Sequence, residues 1–191
     1  MLWSEHASAP AALSVPDGPL WVFAYGSLMW DPGFPHETIQ PAWIEGYART
    51  FCVRSSGHRG TPERPGLVVG LTPGGRCRGL LIRAEDRHKG SVLDYLWRRE
   101  MDLADGYVPR HVAAHGDDGS RVDALTFVAD LAHEAYAGVL TTEETARRIA
   151  AAHGQRGSNR DYLERTLTQL DRLGILDPGL TRLGRAVGAL G

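Results

Sequence analysis

Glu100 is the carboxylate whose position in the sequence most favours acid–base chemistry. It lies four residues after Leu96 and three after Trp97 on a predicted helix, so it shares their apolar face and is expected to point toward the core or a cavity beside it. Burial against apolar surface raises the pKa of a carboxyl, which prepares it as a general base for work near neutral pH. A structural ion pair with adjacent Arg98 or Arg99 is the alternative interpretation.

A second chemical feature is the segment Tyr25-Gly26-Ser27-Leu28, which follows a short apolar run. Glycine at position 26 lets the backbone approach a ligand closely, and consecutive N–H groups in such a turn can form an anion-binding nest. A carboxylate or a developing oxyanion would suit this nest. An ordinary tight turn has the same sequence pattern, so the segment carries weight only together with Glu100.

Several other residue patterns resemble catalytic motifs but fail on spacing. Ser27 is not part of a Gly-x-Ser-x-Gly elbow, and the glycine-rich segment 153–159 has neither a preceding strand nor a following lysine. His111 and His115 have the spacing of helical zinc ligands, but they fall in a predicted strand without the intervening glutamate of a metalloprotease. Cys52 lies inside a predicted strand, where burial as a small apolar side chain is expected.

The composition limits the class of protein. A length of 191 residues suits one domain, and a formal net charge of -2 argues against a nucleic-acid partner. Two cysteines, Cys52 and Cys77, are too few for a disulfide scaffold or a structural zinc site. The sequence contains no apolar run of the ~20 residues that a membrane span needs, and no Lys or Arg precedes Arg49. We therefore expect a cytoplasmic protein with no membrane partner.

The hydrophobic patterning predicts an α+β fold with a mostly antiparallel or barrel-like sheet. Residues 1–18 are rich in Ala, Ser and Pro and are expected to form a flexible extension to a single domain, 19–191. Pro73-Gly74-Gly75 is interpreted as a hairpin connector between two strands. The predicted strands are 20–25, 43–53, 67–71, 79–83, 107–114 and 122–128. The predicted helices are 88–100, 141–154, one beginning at Ser158, and 180–187.

Several motifs, taken in order, make the chain similar to the ChaC family of glutathione-specific γ-glutamylcyclotransferases, and to its bacterial branch in particular. The resemblance runs from about residue 20 to the end. The matching segments are 21–30 (WVFAYGSLMW), 45–47 (EGY) with 51–52 (FC), 59–68 (RGTPERPGLV), 96–101 (LWRREM) with 106–107 (GY), 136–138 (YAG) and 161–163 (DYL).

This resemblance implies a fold and a reaction. The fold is a small mixed β-barrel with flanking helices, mostly C-terminal, around a central cavity. The reaction converts glutathione to 5-oxoproline and cysteinylglycine, as the α-amine of the γ-glutamyl group attacks its own side-chain amide. The chemistry calls for no cofactor and no metal, and we expect a monomer with a small-molecule substrate.

The resemblance also assigns roles to residues. Glu100 is the expected catalytic acid and base, and Tyr162, which follows the predicted helix start at Ser158, is an expected pocket residue. The other candidate substrate-binding residues are Tyr25, Gly26, Ser27, Leu28 and Arg59.

The sequence departs from the family pattern at two places, which leaves alternatives open. Gly57 precedes His58 where many relatives have an acidic residue, and Thr50 follows Arg49 where several have a second arginine. Both changes bear on recognition of the cysteinylglycine portion or on packing near it. The alternatives are the same cyclisation on another γ-glutamyl amide, and a non-enzymatic regulatory binding protein of cation transport.

Overall fold

Five strands close into a barrel in the order β1-β3-β2-β4-β5, in a computed structural model that describes residues 17–102 and 106–191. Neighbouring strands are antiparallel except β1 and β5, which pair in parallel through Val22 and Leu125. The strands are β1 (Trp21–Ala24), β2 (His36–Ser55), β3 (Gly66–Ala84), β4 (Tyr107–Gly116) and β5 (Arg121–Ala129). The predicted mixed barrel is confirmed.

The two longest strands, β2 and β3, correct the prediction of a hairpin at Pro73-Gly74-Gly75. These residues lie within β3, and Pro73 pairs with Tyr47 of β2. Gly74 and Gly75 have φ values of 107° and 79°, and Gly46 on the opposite strand has 81°. Glycines with positive φ form a bulge as readily as a turn, so both strands bend here and continue to pair.

Three of the four α-helices in the described residues lie in the C-terminal third of the chain, as predicted, and the starts of these three are fixed by side-chain caps. They are α1 (Lys89–Trp97), α2 (Thr142–Ala151), α3 (Asn159–Arg172) and α4 (Pro178–Gly188). Thr141 and Glu144 form the predicted capping box of α2, and the Ser158 side chain accepts a hydrogen bond from the Asp161 N–H at the start of α3. α2 ends before residue 154 because β6 (His153–Gly154) pairs with β7 (Gly157–Ser158).

The predicted helix 88–100 is divided in two. α1 ends at Trp97, and the chain continues as a π-helical turn, Arg98–Asp102, which carries Glu100. Such wide turns are rare and are found mostly at functional sites.

The barrel interior and the helix-facing side of the sheet form one apolar core. Cys52 and Cys77 are buried within it as free thiols, as predicted, and burial raises the pKa of Cys52 to about 12. Within the described residues, no helix is long and apolar enough to cross a membrane. The largest fully buried side chains include Phe23, Ile44, Leu67, Leu71, Leu81, Ile82, Leu96 and Leu125.

Asn159 attaches α3 to β3 and is fully buried. Its Oδ1 accepts from the Leu67 N–H at 2.6 Å, and its Nδ2 donates to the Leu67 carbonyl at 2.7 Å. One side chain thus pairs both backbone groups of a residue that would otherwise be buried without partners. This attachment fixes where the first turns of α3 lie against the strand.

We expect Asn159→Ala to lower the free energy of unfolding by about 2 kcal/mol or more, because it leaves the Leu67 N–H and C=O unpaired in the core. Urea denaturation followed by circular dichroism measures the change. Ser158→Ala is the control, since it removes only the adjacent helix cap and should cost about 1 kcal/mol. Equal losses in the two variants would show that Asn159 contributes no more than a cap.

Candidate active site

A small cavity lies at one end of the barrel; its empty space, including the part open to solvent, is about 350 Å³. Its described walls come from four strands (β1 with the loop after it, β3, β4 and β5), the π-helical turn and α3, so the closed barrel is needed to assemble it. The described lining residues are Phe23, Tyr25, Gly26, Ser27, Leu28, Val69, Glu100, Tyr107, Phe127 and Tyr162.

Glu100 lines this cavity from the π-helical turn, and its side chain is 15% exposed. Burial raises the pKa of its carboxyl above the ordinary value, while the charge and hydrogen bond of Arg99 act in the opposite direction. The Arg99 Nε lies 3.2 Å from the Glu100 Oε1. The predicted inward orientation and the alternative ion pair therefore occur together, and the carboxylate is both buried and held in place.

The segment Tyr25–Leu28 crosses the cavity as the chain leaves β1. Ser27–Met29 form a short 3₁₀ turn, whose first hydrogen bond runs from the Met29 N–H to the Gly26 carbonyl at 2.9 Å. The N–H groups of Ser27 and Leu28 precede that bond and are not used within the turn. A Cβ on Gly26 would lie 2.7 Å from the Val69 Cγ2, so glycine is required here by close packing against β3.

Two buried tyrosine hydroxyls on the cavity wall donate to backbone carbonyls. The Tyr25 hydroxyl donates to the Phe127 carbonyl at 2.7 Å, and the Tyr107 hydroxyl donates to the Val69 carbonyl at 2.6 Å. Burial is the main cause that raises the pKa of both groups, so both stay protonated. With their protons committed to the backbone, the hydroxyl oxygens can only accept hydrogen bonds from a ligand.

Tyr162 closes the cavity from α3. Its ring lies edge-on to Trp30 and Phe51, with centroid distances of 6.0 Å and 5.8 Å. The Arg59 guanidinium lies 5.4 Å from the centre of the same ring. The Tyr162 ring thus lines the cavity and is itself buried.

Residues 20–190 match the family model described as ChaC-like protein. The chain belongs to the ChaC-like family. It is 37% identical to the glutathione-specific γ-glutamylcyclotransferase of Escherichia coli (strain K12), over 96% of this chain and 81% of that protein. It is 32% identical to the human glutathione-specific γ-glutamylcyclotransferase 1, over 90% and 79% of the two chains. A crystal structure of a γ-glutamylcyclotransferase specific to glutathione from yeast superimposes with a TM-score of 0.82 at 27% identity, over 90% and 96% of the chains.

Two arginines of the ChaC-like sequence pattern lie behind the cavity wall and do not belong to the described lining residues. The Arg59 Nη1 donates to the carbonyls of Arg156 and Ser158. Arg49 is buried, and its Nε donates to the Tyr25 carbonyl at 2.7 Å while its Nη1 contacts the Asp177 carboxylate at 3.0 Å. Both arginines support cavity residues from outside.

The structure also separates the two histidines with zinc-ligand spacing. His111 Nδ1 lies 2.8 Å from the Asp123 carboxylate, and the His115 ring stacks on Trp43 at 4.2 Å. Among the residues that the structure describes, no three His, Cys, Asp or Glu side chains form a metal-binding group.

Sequence reasoning assigned no role to Tyr107, Val69 or Phe127, although all three line the cavity. Tyr107 lies in a segment shared with the ChaC family, and this was the only signal that indicated it, whereas Val69 lies one residue beyond the shared segment 59–68. No sequence feature indicated Phe127 as a cavity residue, because its position in the inward–outward alternation of β5 is that of any core residue.

We expect Glu100→Gln to raise the free energy of unfolding at pH 7 relative to wild type. Because the pKa of Glu100 is raised on folding, wild type is most stable where the carboxyl is protonated and loses stability as the pH rises through its folded pKa. The difference between the two proteins should shrink as the pH falls below the ordinary carboxyl value of about 4.3. Urea denaturation at several pH values provides the measurement.

Glu164→Gln is the matched control, because Glu164 lies exposed on α3. Its effect should stay within about 0.5 kcal/mol at every pH. A Glu100→Gln protein less stable than wild type at pH 7 would contradict burial as the dominant influence on this carboxyl.

Proposed function

We propose that this chain is a glutathione-specific γ-glutamylcyclotransferase, which converts glutathione to 5-oxoproline and cysteinylglycine. The observation that carries the proposal is a buried carboxylate, Glu100, in a small cavity crossed by the Tyr25–Leu28 loop. The names of the bacterial and human relatives, and of the yeast structure, support glutathione as the substrate.

The proposed reaction needs few catalytic groups from the protein, because both reacting groups belong to one molecule. The α-amine of the γ-glutamyl group attacks the side-chain amide carbon and closes a five-membered ring. Holding the substrate folded supplies much of the acceleration, since well-oriented intramolecular reactions reach effective molarities of ~10⁵ M or more. The cavity that Glu100 and the Tyr25–Leu28 loop line would hold this folded group.

The wall groups match the two charged ends of the γ-glutamyl moiety. The hydroxyl oxygens of Tyr25 and Tyr107 and the carboxylate of Glu100 are acceptors, and together they suit the α-ammonium. The N–H groups of Ser27 and Leu28 are donors, and they suit the α-carboxylate or the oxyanion that forms at the amide oxygen. Gly26 and Leu28 shape the loop, and Tyr162 closes the cavity over it.

Glu100 moves protons between two nitrogens in this scheme. The ammonium carries three protons and the nitrogen of the product lactam carries one, so two protons leave it. The departing amide nitrogen gains two protons and leaves as the ammonium of cysteinylglycine, while its bond to the γ-carbonyl carbon breaks. Glu100 accepts each proton and passes it on, ending as the carboxylate that it was at the start. Every step uses groups of this chain and the substrate.

We also propose that the protein acts as a monomer in the cytoplasm. Both cysteines are free thiols, which fits a reducing compartment. Analytical ultracentrifugation at micromolar concentration would distinguish a monomer from a dimer.

Purified wild-type protein is expected to release 5-oxoproline and cysteinylglycine from glutathione in equal amounts, without added metal or nucleotide. Glu100→Gln should lose about 10²-fold to 10⁴-fold in kcat, because a proton acceptor is removed while the shape of the side chain is kept. Mass spectrometry of both products measures turnover, and circular dichroism checks that the variant is folded. Full activity in Glu100→Gln would keep the reaction and reject the assigned base.

If the wild-type protein does not turn over glutathione, other γ-glutamyl amides are tested next. Product from one of these would keep the cyclisation and reject glutathione specificity. No product from any γ-glutamyl amide would reject the enzyme proposal in favour of a binding protein.

Gly26→Ala should sharply reduce turnover of glutathione, because its Cβ would lie 2.7 Å from the Val69 Cγ2 and must displace the loop. A shift of about 1 Å in a catalytic site can cost about 10²-fold in rate. Adding Val69→Ala removes the clashing methyl group, so the double variant should recover part of the loss. A double variant that is no better than Gly26→Ala, while Val69→Ala alone stays active, would show that the contact with Val69 is not the cause.

A further inference from the structure

Arg99 joins the two halves of the candidate site by direct hydrogen bonds. Its Nε lies 3.2 Å from the Glu100 Oε1, and its Nη2 donates to the Ser27 Oγ at 3.0 Å. Its Nη1 donates to the Tyr95 hydroxyl at 2.6 Å and to the Asp31 carbonyl at 2.8 Å. One guanidinium therefore connects the π-helical turn, α1, the loop that crosses the cavity and, at Asp31, the chain just after this loop.

The contact between Arg99 and Glu100 depends on the π-helical turn. Consecutive residues of an α-helix point about 100° apart and do not face each other. In the wider Arg98–Asp102 turn, the side chains of Arg99 and Glu100 meet, and Glu100 still lines the cavity. The π-helical turn thus pairs the Glu100 carboxylate with Arg99, the residue that precedes it in the sequence.

The guanidinium has little capacity left for a substrate. Arginine has five N–H donors, and four of them are directed at Glu100, Ser27, Tyr95 and Asp31. Its side chain is 18% exposed, and Arg99 does not belong to the described lining residues of the cavity. These contacts fit a residue that holds catalytic groups in place and does not itself bind the ligand.

Among the residues that the structure describes, the other groups that face Glu100 are neutral. The groups that face the carboxyl electrostatically are the hydroxyls of Tyr25, Tyr107 and Tyr162, each of which stays protonated because burial raises its pKa. Arg99 is the positive charge in contact with the carboxylate. Its loss would leave burial unopposed, and the carboxyl would then be protonated at a higher pH.

We infer that Arg99 is a positioning residue, whose planar fork fixes the Glu100 carboxylate relative to the Ser27 loop and keeps that carboxylate ionised. The inference rests on the proposed function, in which Glu100 is the acid and base. Two separable contributions follow from it: the charge of Arg99 sets the ionisation of Glu100, and the fork geometry sets its place. Lysine keeps the charge and loses the fork, so the two contributions can be measured separately.

The experiment compares wild type with Arg99→Gln, Arg99→Lys and Tyr95→Phe, using the full-length protein. Titration of Glu100 is followed by ¹³C NMR of the side-chain carboxyl, with Glu100→Gln to assign the signal. Turnover of glutathione gives kcat, KM and the pH profile. Arg87→Gln is the matched control, because Arg87 forms an exposed ion pair with Glu85 and lies outside the site.

Arg99→Gln should move the Glu100 titration and the acid limb of kcat to higher pH and should lower kcat at neutral pH by roughly tenfold to a hundredfold. Arg99→Lys should lower kcat while leaving the acid limb near its wild-type position. Tyr95→Phe should lower kcat by a smaller factor, because it removes one anchor of the guanidinium. Arg87→Gln should match wild type in every measurement.

Three results would overturn the inference. If Arg99→Gln keeps the wild-type Glu100 titration and the wild-type kcat, Arg99 has no role in positioning or ionisation. If Arg99→Gln raises KM and leaves kcat unchanged, Arg99 is a substrate contact. Recovery of the full wild-type kcat in Arg99→Lys would leave only the charge and exclude positioning by the fork. The NMR titration needs no substrate: if wild type does not turn over glutathione, a shifted Glu100 signal in Arg99→Gln supports the electrostatic part, and an unshifted signal overturns it.

Discussion

Placing a carboxyl group inside an apolar barrel is the constraint on which the site depends. Burial disfavours the charged form of Glu100, and in this fold the opposing contribution is one guanidinium placed 3.2 Å away. Because Arg99 is the preceding residue, no distant element had to supply the partner. What the fold must supply is the π-helical turn, which allows neighbouring side chains to meet, and the loop at Ser27 that receives the same guanidinium.

The remaining walls follow from how the barrel closes. The parallel pairing of β1 with β5 places the Tyr25 hydroxyl against the Phe127 carbonyl, and β3 receives the Tyr107 hydroxyl at Val69. Asn159 then fixes α3 on Leu67, two residues from Val69, which places Tyr162 over the cavity. Tyr25 and Tyr107 are held directly, and Tyr162 through Asn159, by backbone groups of β5 and β3. The cavity is therefore a property of the whole barrel, and its polar groups are oriented before a ligand binds.

The parts of this arrangement that follow local rules were predictable from sequence. The inward face of Glu100 follows from helical spacing, and the caps at Thr141 and Ser158 follow from local hydrogen bonding. Two predictions failed because the result depends on a distant partner. The Pro73-Gly74-Gly75 segment becomes a bulge because β2 continues to pair beyond it, and the helix at 88–100 widens where Arg99 reaches Ser27. The partners of Tyr107 and Tyr25, on β3 and β5, likewise required the closed barrel.

The two departures from the family pattern acquire a structural meaning in the described part of the chain. The Thr50 hydroxyl forms a 3.0 Å hydrogen bond with the Thr72 hydroxyl across β2 and β3. The Gly57 carbonyl accepts from the Gln155 N–H in the loop that precedes α3. Neither residue lines the cavity. Since an intramolecular cyclisation needs specific contacts only to the γ-glutamyl group, changes at these positions leave the reacting end of the site intact.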